Sequence, residues 1–150
     1  MELILWRHAE AEDGVPDAAR ELTEKGLDQA KRMSAWLKLR LPENTLIIAS
    51  PTRRTQQTAM ALTSDFATKK EVAPGASVNS ILTAVNWPNE QGAVVVVGHQ
   101  PTLGEVASCL IPILPPGFSV KKGSIWWIRY QPEENLLEPV LHAVIYPEML

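Results

Sequence analysis

Leu3-Ile4-Leu5-Trp6 is an unbroken apolar run that meets Arg7-His8 without transition, the pattern of a short strand covered on both faces of a sheet. Ala9 to Glu21 is acidic, contains Gly14 and Pro16, has neither helical nor strand period, and reads as a loop. Thr23 is placed to cap a helix. Leu27, Ala30, Met33, Leu37 and Leu41 then recur at three- and four-residue spacing, which predicts an amphipathic helix over 27–41 that covers the sheet and stops at Pro42. Leu46 to Ala49 is a second apolar strand, and Ser50-Pro51 behind it offers a capping side chain and a proline for the first helical position, predicting a helix to about Thr63. A short helix is expected over Val78 to Val85. The β-branched run Ala93 to Val97 predicts a third strand, followed by a Gly98-His99-Gln100-Pro101 loop and a helix over Thr102 to Leu110. Pro112, Pro115, Pro116 and Gly117 mark a loop, after which Ser124–Tyr130 and Pro139–Tyr146 read as an antiparallel hairpin joined through Pro132 to Asn135. Strands alternating with helices and ending in a hairpin predict an α/β fold. The expected form is a three-layer α/β/α sandwich whose central sheet is mostly parallel, with right-handed crossovers and an antiparallel C-terminal edge. Residues 1–150 are expected to form a single domain without repeats.

Composition narrows the partners. Of 150 residues, 45% are hydrophobic and 21% charged, as in a soluble globular domain. Fourteen Lys and Arg against seventeen Asp and Glu give a net charge of −3, so no general positive field draws nucleic acid or an anionic membrane, and any anion site is local. The lone cysteine, Cys109, forms no internal disulfide and no zinc cluster. The apolar run at the N-terminus is too short for a membrane span and lacks the basic flank of a signal peptide. A cytoplasmic location is the expectation.

Ligands of open parallel sheets collect beyond the carboxyl ends of the strands. There the three predicted strands deliver Arg7-His8, Ser50-Pro51-Thr52-Arg53-Arg54 and Gly98-His99. Two imidazoles with two or three guanidiniums have the charge and donor geometry for a phosphoryl group. Successive helical residues point about 100° apart, so one of Arg53 and Arg54 faces the crevice, and Arg54 is the choice. His8, Glu10, Glu12 and His99 are metal ligands by type. Arg7 and Arg54 would repel a divalent cation and attract a phosphate dianion, so neither metal nor cofactor is expected. Gln57 reads as helix surface, Thr58 as packing, His142 as structural, and Trp36, Trp87, Trp126 and Trp127 as core or edge packing.

Leu3-Ile4-Leu5-Trp6-Arg7-His8-Ala9-Glu10-Ala11-Glu12 resembles the signature that opens members of the histidine phosphatase superfamily, whose fold is phosphoglycerate mutase-like. Ser50-Pro51-Thr52-Arg53-Arg54-Thr55-Gln56-Gln57-Thr58-Ala59 is similar to its Ser-Pro-x-x-Arg-x-x-Gln-Thr-Ala element, and Val97-Gly98-His99 to its second-histidine element. Chain length, Leu22-Thr23-Glu24-Lys25-Gly26 and Gly98-His99-Gln100-Pro101 resemble the SixA-type phosphohistidine phosphatases within that superfamily. The resemblance covers residues 1–110; beyond Pro112 it is a match in length.

The resemblance implies that His8 is the nucleophile, forming a phosphohistidine that water hydrolyses, and that Arg7, Arg54 and His99 form the phosphate pocket. Neighbouring guanidiniums favour the neutral, nucleophilic imidazole, and fixed arginines can meet charge on the equatorial oxygens without Mg²⁺. Ser50 and the helix behind it are expected to add backbone donors to the substrate. Two departures stand out. Ala9 replaces the family's usual glycine, a change that fits if the backbone there is not left-handed. Val78-Asn79-Ser80-Ile81-Leu82-Thr83 lacks the glutamate that serves many relatives as general acid for alcohol leaving groups. Imidazole leaves with far less help than an alkoxide, which favours a P–N substrate such as phosphohistidine; that it is carried on a protein, for instance a histidine phosphotransfer domain, is what the resemblance implies. Glu10, Glu12 and Asp13 are substitute acids by type, against their reading as a solvated acidic loop. A small-molecule phosphomonoesterase and a non-catalytic phosphate-binding module are the alternatives.

Overall fold

The computed structural model describes residues 1–150. Strand β1 (Glu2–Arg7) is followed by α1 (Glu24–Lys38), β2 (Thr45–Ala49), α2 (Arg53–Leu62), β3 (Ala67–Thr68), α3 (Val78–Ala84), β4 (Ala93–Gly98), α4 (Thr102–Leu110), β5 (Ile125–Gln131) and β6 (Leu136–Ile145). They form one six-stranded sheet in the order β3-β2-β4-β1-β5-β6. β1 to β4 run parallel, while β5 is antiparallel to both β1 and β6.

The apolar runs are continuous because both faces of the sheet are covered. Leu3 and Leu5 of β1 and Val94 and Val96 of β4 pack with Ile81 of α3 and Leu103 and Val106 of α4. Their neighbours Ile4, Trp6, Val95 and Val97 point the other way, to Met33 and Leu37 of α1 and Ala59 and Leu62 of α2. This period-two division makes the three-layer α/β/α sandwich.

Three expectations are corrected. Helix α1 begins three residues before Leu27 and ends at Lys38. Its buried stripe is Gly26, Ala30, Met33 and Leu37, whereas Leu27 is 50% exposed and lines a surface groove with Ala18, Pro51 and Met60. Helix α2 starts at Arg53 behind Thr52, not behind Ser50, because the Ser50 side chain is bound elsewhere. The second hairpin strand starts at Leu136, ahead of Pro139; it is the outermost strand, where a missing N–H is tolerated. The cap at Thr23 is formed, its Oγ1 accepting from Gly26 N at 2.9 Å.

Candidate active site

Register brings the three strand tips together. Arg7 of β1 lies opposite Gly98 of β4, and Ala49 of β2 opposite Val97. His8, Ser50 and His99 therefore emerge side by side, fixed by His8 N donating to Gly98 O and Ser50 N donating to Val97 O, both at 3.1 Å. Gly98 admits this crowding: a Cβ there would meet the Leu103 side chain at 3.3 Å.

The rings of His8 and His99 are 5.4 Å apart between centroids. His8, 6% exposed, donates from Nδ1 to the Ala9 carbonyl at 2.8 Å, which leaves Nε2 with its lone pair. Burial lowers the His8 pKa, the bond to Ala9 opposes this, and the charges of Arg54, Arg7 and Arg20 lower it further, to about 4. His99 Nε2 sits 2.7 Å from Ser50 Oγ, and its Nδ1 faces Arg54 NH2 at 3.5 Å. Burial, then the charges at His8 and Arg54, push the His99 pKa down to about 3. Both rings are neutral near pH 7.

Two guanidiniums flank them. Arg7 NH1 donates to Val120 O at 2.8 Å, and burial followed by the charge of Arg54 lowers its pKa. The Arg54 side chain is 6% exposed. It donates from NH1 to Asp17 O at 2.9 Å and from NH2 to an Asp17 carboxylate oxygen at 3.1 Å. The Nε atoms of Arg7 and Arg54 are both buried without a hydrogen-bond partner. Buried, unpartnered charged donors are costly, and an oxyanion among them would satisfy both. Arg53, by contrast, is exposed and pairs with Glu21 at 3.3 Å.

The structure thus gathers His8, His99, Arg7 and Arg54, and assigns Ser50 differently from expectation. Its N–H is committed to Val97 O, its hydroxyl meets His99, and it is wholly buried, so it offers no donor to a ligand and orients His99 instead. Ala9 is not among the residues with positive φ, so its methyl is accommodated. Its N–H donates to Thr58 Oγ1 at 3.1 Å, and Thr58 Oγ1 in turn donates to Arg54 O at 2.8 Å. Thr58 thereby ties the segment after His8 to the helix that carries Arg54. Gln57, read as helix surface, accepts from Leu22 N at 2.7 Å and pins the loop. The Glu10 carboxylate accepts from Thr23 Oγ1 at 2.8 Å; Glu12 and Asp13 are exposed. No group of three or more His, Cys, Asp or Glu side chains is arranged to hold a metal ion.

Two residues were missed from sequence. Asp17 sits over Arg54 and also accepts from Arg20 NH1 at 3.0 Å, and these two bonds, Arg20 first, hold its carboxyl below the ordinary range. Arg20 also donates from Nε to Glu12 O at 2.7 Å. The available signal was that Arg20 is the one cation between Ala9 and Glu24, three residues after Asp17.

A family model described as the histidine phosphatase superfamily (branch 1) matches residues 3–77. The phosphohistidine phosphatase SixA of Escherichia coli K12 is 29% identical over 129 residues, covering 79% of this chain and 80% of that protein. Among solved structures, the protein histidine phosphatase SixA complexed with tungstate superposes with a TM-score of 0.84 at 23% identity, covering 99% of both chains. A phosphoserine phosphatase of Entamoeba histolytica shares the fold at TM-score 0.71 and 19% identity, over 99% of this chain and 98% of that one.

Proposed function

The chain belongs to the histidine phosphatase superfamily and is a hydrolase, and on that premise we propose that it removes phosphate from phosphohistidine on a protein, through a covalent intermediate on His8. The observation that carries this reading is the state of His8. Its Nδ1 proton is spent on Ala9 O, its pKa is lowered to about 4, and its free Nε2 shares the pocket with two guanidiniums whose buried Nε donors lack partners. A neutral nucleophile next to oxyanion donors that no protein group satisfies suits phosphoryl transfer without a metal.

His8 Nε2 attacks phosphorus while Arg7 and Arg54 take up charge on the equatorial oxygens. Arg54 NH2, which can only donate, faces His99 Nδ1 at 3.5 Å, so Nε2–H of His99 donates to Ser50 Oγ at 2.7 Å and His99 positions the Arg54 guanidinium at these oxygens. Water then cleaves the phosphohistidine and releases phosphate. Helix α3, Val78 to Ala84, carries no carboxyl group. An alkoxide leaving group would want a proton donor there, and imidazole, with a conjugate acid of pKa about 6.5, wants it far less. The leaving imidazole belongs to a protein partner such as a histidine phosphotransfer domain, in keeping with the activity of the E. coli relative.

The test is hydrolysis of a phosphohistidine peptide and of p-nitrophenyl phosphate in excess chelator. The wild type should turn over the peptide faster. His8→Ala should abolish activity, and Arg54→Ala should reduce kcat by about 10²- to 10³-fold, with circular dichroism unchanged in both. Activity that survives His8→Ala overturns the covalent route, a metal requirement overturns the metal-free one, and faster turnover of p-nitrophenyl phosphate favours a phosphomonoesterase. Phosphate binding without turnover of either would make it a binding module.

A further inference from the structure

Imidazole departs from phosphorus as a neutral molecule only if its distal nitrogen is protonated when the P–N bond breaks. A phosphoryl-bearing ring in that state is a cation, and the pocket it approaches is crowded with Arg7, Arg54 and Arg20. Something must offset this repulsion on the leaving-group side. Asp17 is the carboxylate bound to that cluster. Its oxygens accept one bond from Arg20 and one from Arg54, about half of their acceptor capacity, and its side chain is 60% exposed. His8, in the same pocket, is 6% exposed. In-line displacement puts the leaving group on the face of phosphorus opposite the nucleophile, and a leaving ring carried on a protein has to stay on the solvent side of a buried nucleophile.

We propose that Asp17 is the residue that holds the leaving imidazole: its carboxylate accepts a hydrogen bond from the distal N–H of the substrate's phosphohistidine and keeps that ring protonated through P–N cleavage. This inference rests on the phosphohistidine reading of the site. The step balances without an acid. The His8 Nε2 lone pair forms the new P–N bond, and the electrons of the old bond return to the substrate ring nitrogen. That ring, which entered with a proton on its other nitrogen, leaves neutral, and the positive charge passes to the ring of His8. Asp17 remains a carboxylate throughout. The arrangement is two-sided: the Ala9 carbonyl takes the distal N–H of the attacking ring at 2.8 Å, and Asp17 takes that of the departing one. Around Asp17 stand Arg20 of its own loop and Arg54 of α2, with His99 after β4 within reach of its charge as of those of His8 and of Arg7, the last residue of β1; Arg53 is turned to Glu21.

The experiment compares wild type and Asp17→Asn on a phosphohistidine peptide and on p-nitrophenyl phosphate, whose leaving group has no N–H. The ratio of kcat/KM for the peptide to that for the ester should fall at least tenfold in the variant. The alkaline limb of kcat on the peptide should move to lower pH, since a carboxylate raises the pKa of the imidazolium it faces. A ratio that stays constant, with both activities falling as Arg54 loses its partner or both rising as the pocket is unblocked, overturns the proposal. So does an unshifted limb. A wild type active on the ester and inert on the peptide instead overturns the phosphohistidine reading, and the role of Asp17 with it.

Discussion

At the scale of residues, one ring nitrogen of each histidine is held by a neighbour: Ala9 O holds His8 Nδ1, and Ser50 holds His99 Nε2. Both pKa values lie well below 6.5, so the Cε1 resonances of His8 and His99 in ¹H–¹³C NMR spectra should stay at their neutral positions from pH 8 down to pH 5. Midpoints near 6.5 would show that burial and the arginines do not set the charge of these rings. His8, His99 and Arg54 were readable in the sequence because a strand end or the first turn of a helix fixes the direction of a side chain. Asp17 was not, since a segment without period gives no direction, and its link to Arg54 is made only when the loop closes over α2. Ser50 was misplaced for a related reason: a serine before a helix fits a cap by local rules, and only the long-range contact with His99 overrides them.

At the scale of elements, the start of α1 is bolted to the segment that follows His8. Glu10 O accepts from Thr23 N at 3.0 Å, Glu10 N donates to Gln29 Oε1 at 3.0 Å, and a Cβ on Gly26 would collide with the Glu10 carbonyl oxygen. Gly26→Ala should therefore push residues 9 to 11 away from the helix, lower stability by about 1–3 kcal/mol and reduce kcat. Denaturant midpoints and single-turnover rates measure the two effects. Loss of stability with kcat intact would show that this contact supports the helix alone. Helix α4 and the apolar strands were legible to within a residue or two, because burial on both faces leaves a long apolar signal. The two-residue β3 was not: Ala67 and Thr68 are exposed, and their pairing to β2 leaves no mark in the hydropathy.

At the scale of the molecule, the neutral histidines make stability depend on pH. An unfolded chain protonates both rings near pH 6.5, whereas the folded one resists until about pH 4 for His8 and about pH 3 for His99. Between these values the unfolded state binds more protons, so stability falls as pH falls below about 6.5, by of order 1 kcal/mol per pH unit for each ring. Urea midpoints at pH 7.5, 6 and 5 should decline, and His8→Asn should flatten the decline; identical slopes would reject the linkage.

The order of strands in the sheet has a bearing on biosynthesis. β1 pairs with β4 and β5 and with no other strand, and neither lies within residues 3–77, the stretch the family model matches. As the ribosome works along the message, β1, which leads into His8, emerges before both of its partners and stays without a hydrogen-bonded neighbour until residues 93–98 and then 125–131 have followed. The nascent chain thus carries His8 long before the pocket around it can close, and a fragment ending at residue 77 would be recognisable by descent yet lack both strands that β1 pairs with.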